Sequence, residues 1–115
     1  MGLDKNYLGA GGTMLVLALL CEEDLYGYEI IRRLETRSEK AFQYKEGTLY
    51  PVLHKLEAGG YVKAYTHTTE ANRVRKYYAI TPKGRKQLEK EKQDFAAFTG
   101  AVDKVLGPGR ALAQL

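Results

Sequence analysis

The sequence predicts a mainly α-helical domain with a small β-hairpin, followed by a long C-terminal helix. Three observations lead to this fold class. An apolar stripe at helical spacing ends at a glycine pair, two alternating segments flank a polar turn, and a seven-residue apolar repeat lies near the C-terminus. With 115 residues the chain can form one small domain. A core of that size is marginal alone, so we expect help from a second subunit.

The first two helices are predicted from their apolar patterns. Residues 11–21 are apolar on nearly every side, so this helix should be buried by its own domain or by a partner subunit. The segment that follows Asp24 is amphipathic, with Tyr28, Ile31 and Leu34 on one side and Ile30 beside them. We therefore expect Tyr28 to lie on the buried stripe of the second helix.

The third helix has the clearest predicted bounds. Its apolar residues recur at positions i, i+3, i+4 and i+7, namely Leu49, Val52, Leu53 and Leu56. Pro51 lacks an N–H and is best tolerated in a first turn, so the helix should begin near Gly47 or Thr48, with Thr48 as its cap. Gly59 and Gly60 should end it through the positive φ that glycine permits.

After this helix, the segments YVKAYTHT and VRKYYAI alternate and flank the turn TEANR, which predicts an antiparallel hairpin. Thr81 and Pro82 then read as the N-cap and first residue of a fourth helix. Three helices followed by a hairpin predict a winged helix-turn-helix domain over 8–81, a dimerisation helix over 82–107 and a flexible tail over 108–115. The predicted dimer seam of the fourth helix consists of Leu88, Phe95, Phe98, Val102 and Val105.

The positive charge is concentrated in one part of the chain. The net charge is +4, but residues 40–86 hold ten basic and three acidic residues, a balance of +7. This local excess predicts an anionic partner. The single cysteine, Cys21, has no intrachain disulfide partner, and the apolar run 13–21 is too short to span a bilayer. We expect a cytoplasmic protein with no membrane partner.

Three motifs resemble those of PadR-type transcriptional regulators: LLCEEDLYGYEIIRRLE, EGTLYPVLHKLEAGGYV and RKYYAITPKGRKQL. They occur in the right order over about residues 14–90. The resemblance implies a homodimeric winged-helix repressor of the cytosol, whose third helix enters the major groove and whose last helix contacts the partner's first helix. The chain departs from the pattern at Tyr26, where histidine is common. It also lacks tryptophan, which the drug-responsive members of the small subclass use as a pair at the dimer centre.

Two groups of residues are candidates for binding double-stranded DNA. On the third helix, Thr48 and Tyr50 can donate to phosphates, and His54 and Lys55 can reach base edges or phosphates. On the wing, a basic group can follow a phosphate backbone or enter the minor groove. That group comprises Arg73, Arg75 and Lys76. Lys45 is a weaker candidate for a backbone contact, because Glu46 follows it.

Other interpretations remain open at this point. The same polar groups are compatible with a solvated helix face and a charged, soluble wing, or with a winged-helix interaction module for an acidic protein partner. A small-molecule effector at the dimer centre would be lined by Phe95 and Phe98. No catalytic residues or cofactor are expected, and a metal site of Cys21, His54 and His67 has no supporting spacing.

Overall fold

The computed structural model describes the backbone of residues 5–107 and the side chains of residues 11–107. The elements follow the order α1 (Lys5–Glu22), β1 (Leu25–Tyr26), α2 (Gly27–Arg37), α3 (Glu46–Ala58), β2 (Val62–Thr68), β3 (Val74–Ile80) and α4 (Pro82–Leu106). The predicted fold class is confirmed, since three helices precede a hairpin and a long helix follows it. The predicted tail, 108–115, lies outside the described residues.

The sheet has three strands in the order β1-β3-β2, where the sequence predicted two. The additional strand, β1, contains two residues and pairs antiparallel with β3, so that Leu25 opposes Tyr78 and Tyr26 opposes Tyr77. Two residues cannot show an alternating pattern, which is why β1 was missed. The strand ties the start of α2 to the base of the wing.

One apolar core lies among α1, α2, α3 and the base of the sheet. Each of these elements contributes a residue that is no more than 2% exposed: Leu17 from α1, Ile30 from α2, Leu53 from α3 and Tyr78 from β3. Among the described side chains, no buried nitrogen or oxygen atom is without a hydrogen-bond partner. The core that packs against α3 therefore contains no unsatisfied polar group among the described side chains.

The buried face of α2 differs from the prediction. Its buried residues are Gly27, Ile30 and Leu34, whereas Tyr28 is 58% exposed. Gly27 belongs to this face because the Tyr50 ring packs closely over it: a Cβ atom there would lie 3.0 Å from the Tyr50 hydroxyl oxygen, so the ring would have to shift to admit a side chain. Tyr28 follows one residue later and is rotated by about 100°, which turns its ring away from the core.

The start of α3 also differs from the prediction. The helix begins at Glu46 with Lys45 as N-cap, and no side chain caps it. The N–H groups of Thr48 and Leu49 both donate to the Lys45 carbonyl, so the first turn forms before Thr48 and the predicted cap is wrong. Pro51 consequently lies inside the helix rather than in its first turn. It has no N–H to offer to the carbonyl four residues earlier.

The end of α3 matches the prediction. Gly60 has a φ of 78°, the Gly60 N–H donates to the Glu57 carbonyl, and the Tyr61 N–H donates to the Leu56 carbonyl at 2.9 Å. This pair of bonds and the left-handed glycine form a Schellman ending. It turns the chain directly into β2.

The first half of α4 packs on α1 of the same chain. The Thr81 hydroxyl accepts a hydrogen bond from the Gly84 N–H, which confirms the predicted N-cap. Farther along, the Thr13 hydroxyl donates to Glu91. Leu88 is only 5% exposed and belongs to the domain's own core, so it cannot lie on an open seam. Among the described residues, no helix is both long and apolar enough to cross a membrane.

Candidate nucleic-acid interface

The outermost side of α3 is a ridge of four exposed residues, Gly47, Pro51, His54 and Ala58. They lie opposite the buried leucines because each residue advances the helix by about 100°. His54 is therefore directed outward. Thr48 and Lys55 lie along one flank of the ridge and Tyr50 lies along the other. Of the four predicted contact residues, His54 thus lies on the ridge itself, and the other three flank it.

The Tyr50 side chain of α3 packs against the start of α2. Its ring is 40% exposed, and its hydroxyl oxygen lies 3.0 Å from the position that a Cβ atom on Gly27 would occupy. The phenol is held in place by this packing, with one edge open to solvent. An ordered hydroxyl at this place can donate to an anion without first losing rotational freedom.

Of the five basic residues predicted to contact DNA, three have side chains that are unengaged. Lys45, Lys55 and Arg73 are exposed, and within residues 11–107 none of them forms an ion pair or an aromatic contact. The salt bridges of this part of the chain lie elsewhere, linking α2 to the residues at the end of α1 or lying within α4. These three cations therefore remain available to an external anion.

Arg73 follows a tightly hydrogen-bonded wing turn. The Thr69 N–H donates to the Arg73 carbonyl at 2.8 Å, and the Arg73 N–H donates to the Thr69 hydroxyl at 3.2 Å. Asn72 adopts a φ of 63°, a conformation that asparagine tolerates better than most residues. The backbone at Arg73 is thus fixed while its side chain extends into solvent.

Arg75 is engaged on the outer face of the sheet. Its guanidinium carbon lies 4.4 Å from the centroid of the Tyr26 ring, within the range of a cation–π contact. The Tyr26 ring meets the edge of Tyr77 at 5.5 Å, and Tyr77 stacks on Tyr65 at 5.7 Å. This aromatic row crosses all three strands. A phosphate contact by Arg75 remains a prediction, and it would have to compete with Tyr26.

Two further contacts hold the row in place. The Tyr65 hydroxyl donates to Asp24 at 2.7 Å, and this hydrogen bond is the main reason that the pKa of Tyr65 is raised. On the side toward the tip, His67 meets Tyr77 edge-on at 5.7 Å. The wing is consequently braced against the loop between α1 and β1.

Lys76 lies on the opposite face of the wing from Arg75, because neighbouring residues of a strand alternate. Its ammonium nitrogen is 5.6 Å from the centroid of the Tyr78 ring. Burial raises the pKa of the Tyr78 hydroxyl, and the nearby Lys76 charge partly opposes that increase. The three predicted wing residues therefore occupy three places: the tip, the outer face and the inner face.

An apolar strip runs along the second half of α4. Phe95 is 54%, Phe98 65% and Val105 86% exposed, while Val102 is half-buried. Their spacing of three, four and three residues keeps them on one side of the helix. Within the described residues nothing covers this strip, which we call the α4 seam.

The structure separates the residues considered for a metal site. Cys21 contacts Arg85, whose guanidinium nitrogen lies 3.0 Å from the sulfur, His54 is on α3 and His67 is on the outer face of the wing. No role was expected for Tyr26, yet it forms β1 with Leu25 and makes a cation–π contact with Arg75. Its position next to Gly27, within the motif LLCEEDLYGYEIIRRLE, was the sequence feature that could have indicated a role.

Comparison with known proteins places the chain in a well-populated structural group. Residues 16–90 match the model described as "Transcriptional regulator PadR-like family". A transcriptional regulator of Mycobacterium tuberculosis is 30% identical over 103 residues, covering 90% of both chains.

Solved structures agree with this match. A transcriptional regulator from Clostridium thermocellum is 30% identical, with a TM-score of 0.81, and covers 89% of this chain and 99% of that one. A PadR family transcription regulator from Clostridium difficile is 32% identical, with a TM-score of 0.69, and covers 83% and 97% of the two chains.

Proposed function

Because this chain belongs to the PadR-like family of transcriptional regulators, we propose that it is a homodimeric repressor that binds double-stranded DNA through α3 and the wing. The family is one of regulators rather than enzymes. The observation that carries the proposal is the set of unengaged cations: Lys45 at the start of α3, Lys55 on its exposed surface and Arg73 at the wing tip.

The expected roles follow from the position of each residue. The ridge of α3 enters the major groove, so that His54 and Lys55 approach base edges. Tyr50 and Lys45 donate to phosphates beside the groove, and Arg73 contacts the backbone at the wing tip. Base discrimination therefore depends on α3, and the wing adds affinity for DNA of any sequence.

The α4 seam supports the dimer. Two exposed phenylalanines and a valine on one side of a helix are costly in water, since each buried apolar Å² contributes about 25 cal/mol. A second copy covers the seam by packing its own helices against it. With two-fold symmetry, the two α3 helices reach successive major grooves about 34–36 Å apart, which requires an inverted-repeat operator.

A small-molecule effector fits the same arrangement. A ligand held between the α4 seams would release the operator only if it favours a dimer whose α3 spacing is wrong for DNA. Phe95 and Phe98 are the aromatic residues that would line such a site.

In vitro selection from a random duplex library tests the proposal. We expect enrichment of an inverted repeat with half-site centres about one helical turn apart, bound by two protomers. If no sequence is enriched while the protein still binds polyanions, a role as an interaction module for an acidic protein is favoured instead. Repression is then tested with a reporter gene placed behind the selected repeat.

A further inference from the structure

The end of α3 is hydrogen-bonded to the start of α4. Lys83 donates from its ammonium group to the Gly59 carbonyl at 2.7 Å. The Thr81 hydroxyl lies 2.7 Å from the Gly60 carbonyl, and the Thr81 N–H donates to the Tyr61 carbonyl at 3.0 Å. The last carbonyls of a helix lack partners within it. Here the first residues of α4 supply partners to three successive carbonyls at and beyond the C-cap.

Gly84 allows the two segments to meet without a gap. A Cβ atom at this residue would lie 2.0 Å from the Tyr61 carbonyl oxygen and 2.8 Å from the Ile80 Cγ1 atom. Both distances are far shorter than van der Waals contact, and the first involves backbone. Any side chain at Gly84 must therefore push α4 away from the end of α3.

The Thr81 hydroxyl forms hydrogen bonds with both the end of α3 and the start of α4. The Thr81 hydroxyl accepts from the Gly84 N–H at 3.0 Å, which caps α4, and it donates its own hydrogen toward the Gly60 carbonyl. Lys83 adds a cation–π contact, with its ammonium nitrogen 4.8 Å from the Tyr61 ring centroid. The joint between α3 and α4 is therefore fixed by hydrogen bonds, ring contact and close packing together.

The far end of the same helix carries the α4 seam. From Pro82 to Val105, α4 is about 35 Å long at 1.5 Å per residue. A tilt of about 5° over that length moves one end by about 3 Å, close to the 3.4 Å rise of one base pair. A small change at the seam is thus large enough to misplace α3 on its half-site.

We propose that Thr81, Lys83 and Gly84 are positioning residues that couple α4 rigidly to α3, so that the contact between the two α4 seams sets the separation of the recognition helices. This proposal rests on the proposed dimeric DNA binding. The joint transmits a tilt of α4 to α3, whereas a flexible connection would absorb it.

The first experiment uses the unbound full-length protein. Lys83→Met removes the donor and the charge but keeps an unbranched side chain, and Lys86→Met is the matched control at an exposed position on the same helix. We expect amide hydrogen exchange at Gly59, Gly60 and Tyr61 to become at least about fivefold faster in Lys83→Met and to stay unchanged in Lys86→Met. Equal exchange in all three proteins would overturn the coupling.

The second experiment inserts a methyl group into the joint. Gly84→Ala is compared with Gly100→Ala, where a Cβ atom meets nothing within 4 Å. Gly100 lies on the side of α4 opposite Phe98, so the control leaves the seam intact. We expect Gly84→Ala to remain dimeric and to lose at least about tenfold more affinity for a two-half-site duplex than for a single half-site. An equal loss on both duplexes would contradict the proposal.

The outcomes distinguish the coupling from the function on which it rests. If Gly84→Ala does not fold, Lys83→Met is carried through the same two-duplex comparison. If the wild-type protein selects no duplex, the proposed function fails, and the exchange measurement still decides whether the joint is rigid. If the wild-type protein binds a repeat and both joint variants behave as their controls do, only the coupling fails.

Discussion

Replacing Arg73 with alanine separates the contribution of the wing from that of α3. The Arg73 side chain extends from a fixed turn and has no partner among the described residues, so its removal should leave the fold intact. If each protomer loses one phosphate contact, a dimer loses two. Each contact contributes about 0.9 to the slope of log affinity against log salt, so the slope should become shallower by about 1.8.

That change in slope has a measurable size. When the salt concentration rises from 50 to 200 mM, the wild-type protein loses affinity, and these two contacts alone account for a factor of about twelve in that loss. Arg73→Ala should therefore bind more weakly at low salt and approach the wild-type affinity as the salt concentration rises. Because phosphates carry no sequence information, specific and scrambled duplexes should be affected equally.

The assay is fluorescence anisotropy of labelled duplexes at four or more salt concentrations. Lys104→Ala serves as the control, because it removes the same charge from an exposed position near the C-terminal end of α4. An unchanged slope in Arg73→Ala, or an equal change in Lys104→Ala, would refute the assignment of the wing tip to the backbone.

The remaining predictions concern the seam, the core and the buried phenol. Phe98→Asp should give a folded monomer that has lost tight binding to a two-half-site duplex, as sedimentation and anisotropy would show; a stable dimer would contradict the seam. Leu53→Ala should lower the free energy of unfolding by about 2–5 kcal/mol in urea denaturation, since Leu53 is fully buried. Tyr78 has a raised pKa because of burial, so its contribution to stability should be complete below pH 10 and lost as the pH rises above that value. The stability of Tyr78→Phe should accordingly fall less steeply above pH 10, and an identical fall would refute this explanation.

The elements that the sequence predicted well are those with a repeating pattern or a terminating residue. The end of α3 depends on Gly60 and the start of α4 depends on Thr81, and both were found because their chemistry is local. The start of α3 was misplaced because Pro51 was assumed to mark a first turn. A helix can carry proline later when the affected carbonyl lies on an exposed side, and Gly47 provides that here.

The candidate site was less predictable, because the fate of each charge depends on contacts distant in sequence. Nothing near Arg75 reveals that Tyr26 will lie beneath it, since strand pairing brings the two together. Leu88 fits the heptad of the seam equally well, yet packing against the domain removes it from that surface. The sequence therefore predicted which basic residues are candidates for binding. Which of them already have contacts within the protein could be known only from the structure.

A competition titration tests the central claim most directly. Purified protein is titrated into a labelled duplex from the region upstream of its own gene, or one obtained by selection, and an excess of scrambled duplex of equal length is then added. Saturable binding of two protomers per duplex, which the scrambled DNA fails to displace, is the predicted result. Displacement of the labelled duplex by equal amounts of either DNA, at every salt concentration, would contradict a sequence-specific dimeric regulator.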